Sequence, residues 1–481
     1  MNLRDALQTQ DTVTENGMAT NSSSLNHCVD LFFQIGAMRG MDTKRLVSKF
    51  SKAYNEDSLV AMRILFWSRD VRGGAGERQI FRDLLGWLCE DHSVVLNKNI
   101  HLISEYGRWD DILTLVGTTN CWLEPLALIK TALENKEGLC AKWMPRKGVK
   151  ANTIRKYMKM TPKEYRKMIV GLTNVVETSM CSKEWKNINY SKLPSLASAR
   201  YQKAFHKNDG ERYQEYVESL KKGTTKVNAG AVYPYDIVKS STHGDWEVAN
   251  EQWKALPNYM EGSEEIILPI VDVSGSMSCP AGNNPNLSCM DVSISLGLYL
   301  SERNEGPFKD TFVTFSANPE LQVLNGNLRD RISQLRQSDW GMNTNLEATF
   351  RLILDQAVKH QVPQNEMPTK VLVLSDMEFD SATGNQCQWY NGDSVPKWNP
   401  TAQQMIKGMY KDAGYEMPDI VYWNLNARND NFPTSVNEMG TALVSGFSPS
   451  IMKSILTCED FTPYNMMMET IDSPRYEPIR V

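Results

Sequence analysis

Asp272, Ser274 and Ser276 stand two residues apart, directly after the apolar run Ile266-Ile-Leu-Pro-Ile-Val271. Alternate residues of an extended segment share one side. One carboxylate and two hydroxyls therefore converge where a buried-type strand ends. Hard oxygen donors of this kind suit Mg²⁺, and the carboxyl ends of strands are where open α/β sheets bind ligands. Two later segments belong with this one. Gly341-Met-Asn-Thr344-Asn345 opens a helical pattern, and Lys370-Val-Leu-Val-Leu-Ser-Asp376 is a second apolar strand ending in a carboxylate. The competing reading is a strand-to-helix turn in which the Asp and Ser residues cap a helix.

Such a site needs a sheet to hold it. From residue 264 onward strand-like runs alternate with helical ones, the mark of a parallel sheet in a doubly wound α/β domain. Strands are expected at 266–272, 311–316, 371–376, 419–425 and 442–446, with a short edge strand at 320–324. Helices are expected at 290–303, 345–359, 401–413 and 448–456. The first half of the chain reads differently, as roughly ten helices in pairs. Thr161-Pro-Lys-Glu164 is a capping box with Pro at the first helical position. The division expected is a disordered arm (1–24), a helical domain (25–239), a linker (240–263), an α/β domain (264–460) and a tail (461–481) packed back on a domain.

A chain of 481 residues is long enough for two or three domains. It contains no apolar run of membrane-spanning length, and residues 1–26 lack the layout of a signal peptide. The nine cysteines are scattered and form no C-x-x-C pair. That favours reduced thiols and a cytoplasmic location over a disulfide framework or a zinc site.

Charge is unevenly spread. Residues 261–481 carry 15 Lys and Arg against 28 Asp and Glu, a balance of −13, whereas residues 1–260 carry 37 against 29, a balance of +8. The two halves could simply attract each other, but the density of one segment points to a polyanion. Residues 142–167 contain ten basic residues, among them Lys142, Arg146, Lys147, Lys150, Arg155, Lys156 and Lys159, against the single acid Glu164. Trp143, Tyr157 and Tyr165 are interleaved. Basic residues neutralise phosphates and aromatics stack on unpaired bases, so RNA contact is expected here. Arg69-Asp-Val-Arg72-Gly-Gly-Ala-Gly-Glu-Arg78 is a glycine-rich turn between helices. Arg69, Arg72 and Arg78 could hold a phosphate at the next helix start. Equally, the turn could be structural, with its arginines paired to Asp70 and Glu77. Tyr106-Gly-Arg-Trp-Asp-Asp111 reads as a structural helix junction.

The motif VDVSGSM, with Thr344 and Asp376, resembles the metal-ion-dependent adhesion site (MIDAS) of von Willebrand factor A domains. That resemblance implies one Mg²⁺ ligated by Asp272, Ser274, Ser276, Thr344 and Asp376, with a position open to an Asp or Glu of a partner protein. A helical half ahead of such a domain is similar to the TROVE family of Ro-type proteins. RDVRGGAGER, EYGRWDD, KWMPRKG, EYRKMI, LPSLASARYQKAF and KVNAGAVYPYDIV resemble most closely a Ro-like family of plants and tailed phages. The resemblance implies a HEAT-like helical-repeat scaffold that binds structured or single-stranded RNA without catalysis. Two other functions compete with a ribonucleoprotein scaffold. One is a metal-dependent protein–protein adaptor that needs no RNA. The other is a Mg²⁺-dependent nuclease using the carboxylates Asp376, Glu378 and Asp380.

Overall fold

Ile267–Asp272 (β1) and Lys370–Ser375 (β4) are buried at every position, as a parallel sheet covered on both faces requires. They pair in parallel, Ile267 opposite Lys370 and Val271 opposite Leu374. Thr311–Phe315 (β2), Glu320–Val323 (β3), Asp419–Asn424 (β5) and Thr441–Ser445 (β6) complete a sheet in the order β6-β5-β4-β1-β2-β3. β3 runs antiparallel to β2, and the other pairs are parallel. The connections leave β1 toward β2 and later return to β4 on its other side. The switch point of this doubly wound order therefore lies between β1 and β4, the strands that place Asp272 and Asp376 at their carboxyl ends. The computed structural model describes residues 11–481 apart from 122, 231, 244–245, 283, 316–318, 338–344, 382–387, 391–392 and 396–399. Thr344 and most of the long polar loop at 380–400 thus lie outside the described residues.

The helix after β1 is held unusually close to it. Cys289–Arg303 begins with a capping box, Ser288 with Asp291. A Cβ on Gly297 would lie 2.4 Å from Val271 Cγ2, so only a glycine lets this helix approach the strand so nearly. The expected sheet-domain elements otherwise fall within a residue or two of their bounds, while the helix Leu328–Gln337 and the short strands Gln388–Tyr390 and Asp393–Val395 are additional to them. The exception is 448–456, which is a 3₁₀ turn, Pro449–Ile451, followed by the helix Met452–Thr457.

The helical half comprises successive short helices from His27–Ile35 (α1), Thr43–Glu56 (α2) and Ser58–Arg69 (α3) through to Trp246–Lys254. It does not stand apart from the sheet. Ser445 Oγ at the end of β6 donates to Phe32 O (2.7 Å) and accepts from Gly36 N (3.0 Å). A Cβ on Gly36 would come within 2.7 Å of Gly446 Cα. Phe32, Phe33 and Ile35 of α1 join Leu443, Val444 and Phe447 in one hydrophobic cluster running through both halves.

Two expected boundaries change, while the tail packs back as expected. Residues 11–24 are not a disordered arm: Thr12–Val13 and Ala19–Thr20 pair as a small hairpin. Met18 is buried and Thr14 Oγ1 donates to Phe379 O (2.6 Å). The segment's polar composition satisfies backbone groups of the sheet domain, a use that composition cannot reveal. Residues 240–263 are not a linker, because Pro234–His243 and Trp246–Lys254 are helices. The latter buries Trp253, whose indole donates to Glu302 (2.8 Å). The closing segment folds as the helix Pro463–Ile471, with Met466, Met467 and Ile471 buried. Beyond it, Arg475 and Tyr476 reach Asp70 at the end of α3.

Candidate metal centre and basic face

The carboxyl ends of β1 and β4 set Asp272 and Asp376 side by side, 0% and 3% exposed. Asp272 Oδ1 accepts from Ser274 N (2.9 Å) and Oδ2 from the Ser375 hydroxyl (2.6 Å). Ser274 Oγ and Ser276 Oγ are 3.0 Å apart, and Ser276 is near enough to Asp376 to favour its ionised carboxylate. Four of the five expected ligands therefore meet at one place. Burial, reinforced by the charge of Asp376, pushes Asp272 up to about 7. Burial pushes Asp376 up to about 6, opposed by Arg428 and supported by Glu378.

The arrangement is short of positive charge. Arg428 Nη2 lies 3.2 Å from Asp376 Oδ2 and also 3.4 Å from Glu15, so it neutralises the pair in part. Two adjacent buried carboxylates, both held above their usual range, fit a divalent cation. Among the described residues no group of three or more His, Cys, Asp or Glu could hold a metal. An ion between Asp272 and Asp376 would thus take hydroxyl oxygens from Ser274 and Ser276, which favours a hard cation over zinc. Protons and the cation compete for the same oxygens. Mn²⁺ affinity, read by electron paramagnetic resonance, should therefore rise roughly tenfold or more between pH 5.5 and 8. Stability of the metal-free protein should move the other way. Carboxyls raised by folding favour the native state at low pH, and that contribution is lost as pH climbs through about 6 to about 7.

Of the neighbours of this pair, Glu378 was expected near the ion as a nuclease carboxylate, whereas the asparagines, Cys279 and Arg428 were not anticipated. Glu378, fully buried, accepts from Asn429 (2.7 Å), Asn431 (2.8 Å) and Glu15 N (2.8 Å). Asn426 Nδ2 donates to Cys279 Sγ (3.1 Å), whose own thiol approaches Cys289. The spacing Asn424, Asn426, Arg428 after β5 repeats the alternation after β1, and is the signal that could have found Arg428.

The basic segment is divided. Arg146, Lys147, Lys156 and Lys159 are exposed, as are Lys163 and Lys167. None of these six forms an ion pair among the described residues. They lie around the helices Val149–Tyr157 and Pro162–Leu172. Others are partly engaged. Lys150 Nζ donates to Leu113 O, and Arg155 Nε to Asn152 Oδ1 (2.9 Å). Lys142 and Arg108 both lie on the Trp143 ring, at 5.5 and 4.0 Å from its centroid. Tyr165 is buried with its hydroxyl on Pro145 O. Trp143 and Tyr165 are therefore packing groups, and the expected stacking platform reduces to the half-buried Tyr157.

The glycine-rich turn is resolved in favour of packing. Arg69 is buried with its guanidinium on Asp111 (2.8 Å), so the expectation that it grips RNA does not hold. Glu77 is buried against Arg39 (2.8 Å), which lies 4.4 Å from the Phe447 ring centroid. A Cβ on Gly74 would fall 1.9 Å from Trp67 O, and on Gly76 1.8 Å from the Tyr233 hydroxyl. Arg72 and Arg78 remain exposed. Partial desolvation of its guanidinium, with the neighbouring Arg108 and Arg69, holds Arg78 below its usual value.

Compared with known families, residues 14–121 and 126–265 match a domain of unknown function, DUF2828. These residues are more than half of the chain. The chain belongs to the DUF2828 family. In this DUF2828 protein a second domain of unknown function, DUF7788, matches residues 267–475, the sheet domain and the helix after it. An uncharacterized protein of Acanthamoeba polyphaga mimivirus is 29% identical over 530 aligned positions, covering 97% of this chain and 88% of the relative. The crystal structure of the Deinococcus radiodurans RO (RSR) protein is similar over 96% of each chain, at 13% identity and a TM-score of 0.36. No helix among the described residues is long and apolar enough to cross a membrane.

Proposed function

We propose that this protein is a non-catalytic RNA-binding scaffold of the Ro type that its motifs resemble, with a von Willebrand A-like end that recruits a protein partner through Mg²⁺. The observation that carries RNA binding is the set of exposed cations Arg146, Lys147, Lys156, Lys159, Lys163 and Lys167, none with an acidic partner among the described residues. Solvated cations left unpaired on one short stretch are free to replace the counterions of a phosphate backbone. At the other end Asp272, Ser274, Ser276 and Asp376, with Thr344, would hold the ion. Bound there, Mg²⁺ would offer positive charge to an Asp or Glu of the partner.

RNA affinity for the full chain should fall with salt, with a slope in log K against log salt of about −4 if six phosphates are contacted. Replacing Lys156 and Lys159 with Gln should flatten that slope by about 0.7 unit per lost contact, read by fluorescence anisotropy. A flat response in the unaltered protein would favour the metal-dependent adaptor that needs no RNA. Nuclease chemistry is disfavoured because Glu378, the carboxylate best placed to act as a base beside Asp376, already accepts three hydrogen bonds.

A further inference from the structure

Cys279 and Cys289 flank a short ladder at the mouth of the candidate centre. Pro280 and Ser288 form an antiparallel bridge. Ala281 N donates to Leu287 O (2.7 Å), and Cys289 N to Cys279 O (3.0 Å). The two cysteines are thus opposed residues of an antiparallel pair, whose Cα atoms stand about 5.5 Å apart. That separation lies at the centre of the range a disulfide spans. Their sulfurs are already 3.7 Å from each other. Cys279 is partly exposed, whereas Cys289 is 1% exposed. One thiol can therefore be reached from solvent and the other is held directly behind it.

We infer that Cys279 and Cys289 form a reversible disulfide with low-molecular-weight disulfides such as oxidised glutathione, and that its closure weakens divalent-cation binding at Asp272 and Asp376. The exchange balances. The Cys279 thiolate attacks one sulfur of oxidised glutathione and releases one glutathione thiolate. Cys289 then loses its proton, its sulfur attacks Cys279 Sγ, and the second glutathione leaves. Two protein thiols are oxidised, and one glutathione disulfide is reduced to two thiols.

The coupling follows from what Cys279 touches. Its backbone N donates to Ser276 O (3.4 Å), so it continues the turn that carries a candidate ligand. Its sulfur accepts from Asn426 (3.1 Å), two residues before the arginine on Asp376. Drawing the sulfurs together to about 2.05 Å pulls Cys279 toward the helix and away from Asn426. Ser276 and the Asn426–Arg428 segment are then displaced relative to Asp376. This second half of the inference rests on the metal reading proposed above.

The test uses the full chain equilibrated in glutathione redox buffers, trapped by alkylation and mapped by mass spectrometry without reduction. A peptide pair joined through Cys279 and Cys289 is expected, released by excess reduced glutathione. Failure to find that pair under fully oxidising buffer overturns the disulfide. Cys289→Ser should instead retain a glutathione adduct on Cys279, and no adduct there would also count against the exchange. Mn²⁺ binding to the oxidised form should be weaker by about threefold or more than to the reduced form. Equal affinities overturn the coupling. Absence of Mn²⁺ binding in the reduced protein overturns the metal reading and leaves the mapped disulfide standing.

Discussion

Asp272→Asn should reduce Mg²⁺ and Mn²⁺ binding by roughly a hundredfold while leaving the metal-free protein at least as stable as the parent at pH 8. The two effects have one origin. Asp272 is wholly buried beside Asp376, and burial with that neighbour pushes its carboxyl up to about 7. Above that pH the native state pays to ionise it, a cost the amide does not incur. The same negative charge is what would attract a cation into the site, and the neutral amide removes it. Isothermal titration gives the affinity, and a thermal melt with and without Mg²⁺ gives the rest. At a hundred times the parent's Kd the parent should gain about 2.7 kcal/mol and the variant only about 0.4 kcal/mol. A variant that binds as tightly as the parent would show that Asp272 is no ligand. RNA affinity should be unchanged, because the exposed cations of residues 146–167 belong to the other half.

Asp70→Ala should cost about 1–3 kcal/mol, the range expected when buried donors lose their acceptor, since Arg475 is 35% exposed and water can take up its charge. Asp70 is fully buried and accepts from Arg72 N (3.0 Å), Arg475 Nη2 (2.8 Å) and the Tyr476 hydroxyl (3.1 Å). Arg475 Nε also lies against it. One carboxylate thus fastens the closing segment to the end of α3, and Tyr106 supports it by stacking on Tyr476 (5.7 Å between centroids). Urea melts should show the lowered midpoint. Limited proteolysis should cut first beyond residue 471. A variant as stable as the parent, with that segment still protected, would show that the clamp carries little of the fold.

The sheet was legible because both of its signals are local. Buried parallel strands show as continuous apolar runs, and Ile267–Asp272 and Lys370–Ser375 are such runs, each followed by polar residues that only a site would place there. Asp272, Ser274 and Ser276 could be read from spacing alone, because a strand's alternation is itself geometric. Asp376 could be paired with them because it ends the other apolar strand. Arg428 and the turn around Glu15 could not, since their roles depend on contacts between segments far apart in sequence, up to hundreds of residues. Arg69 was misassigned for the same reason. Its partner Asp111 lies 42 residues further on, beyond three intervening α-helices, and a buried arginine looks no different in a sequence from an exposed one. The 240–263 stretch failed because its average polarity hid one apolar face, Val248, Ala249 and Trp253.

Gly36 and Gly446 meet with no space for even a methyl group between them. A seam closed at backbone contact, within a shared core, leaves no slack for one half to swing against the other. The cationic stretch and the carboxylate pair are consequently held like two jaws of a fixed calliper. Any assembly that engages both must match a span and an angle that the protein sets in advance.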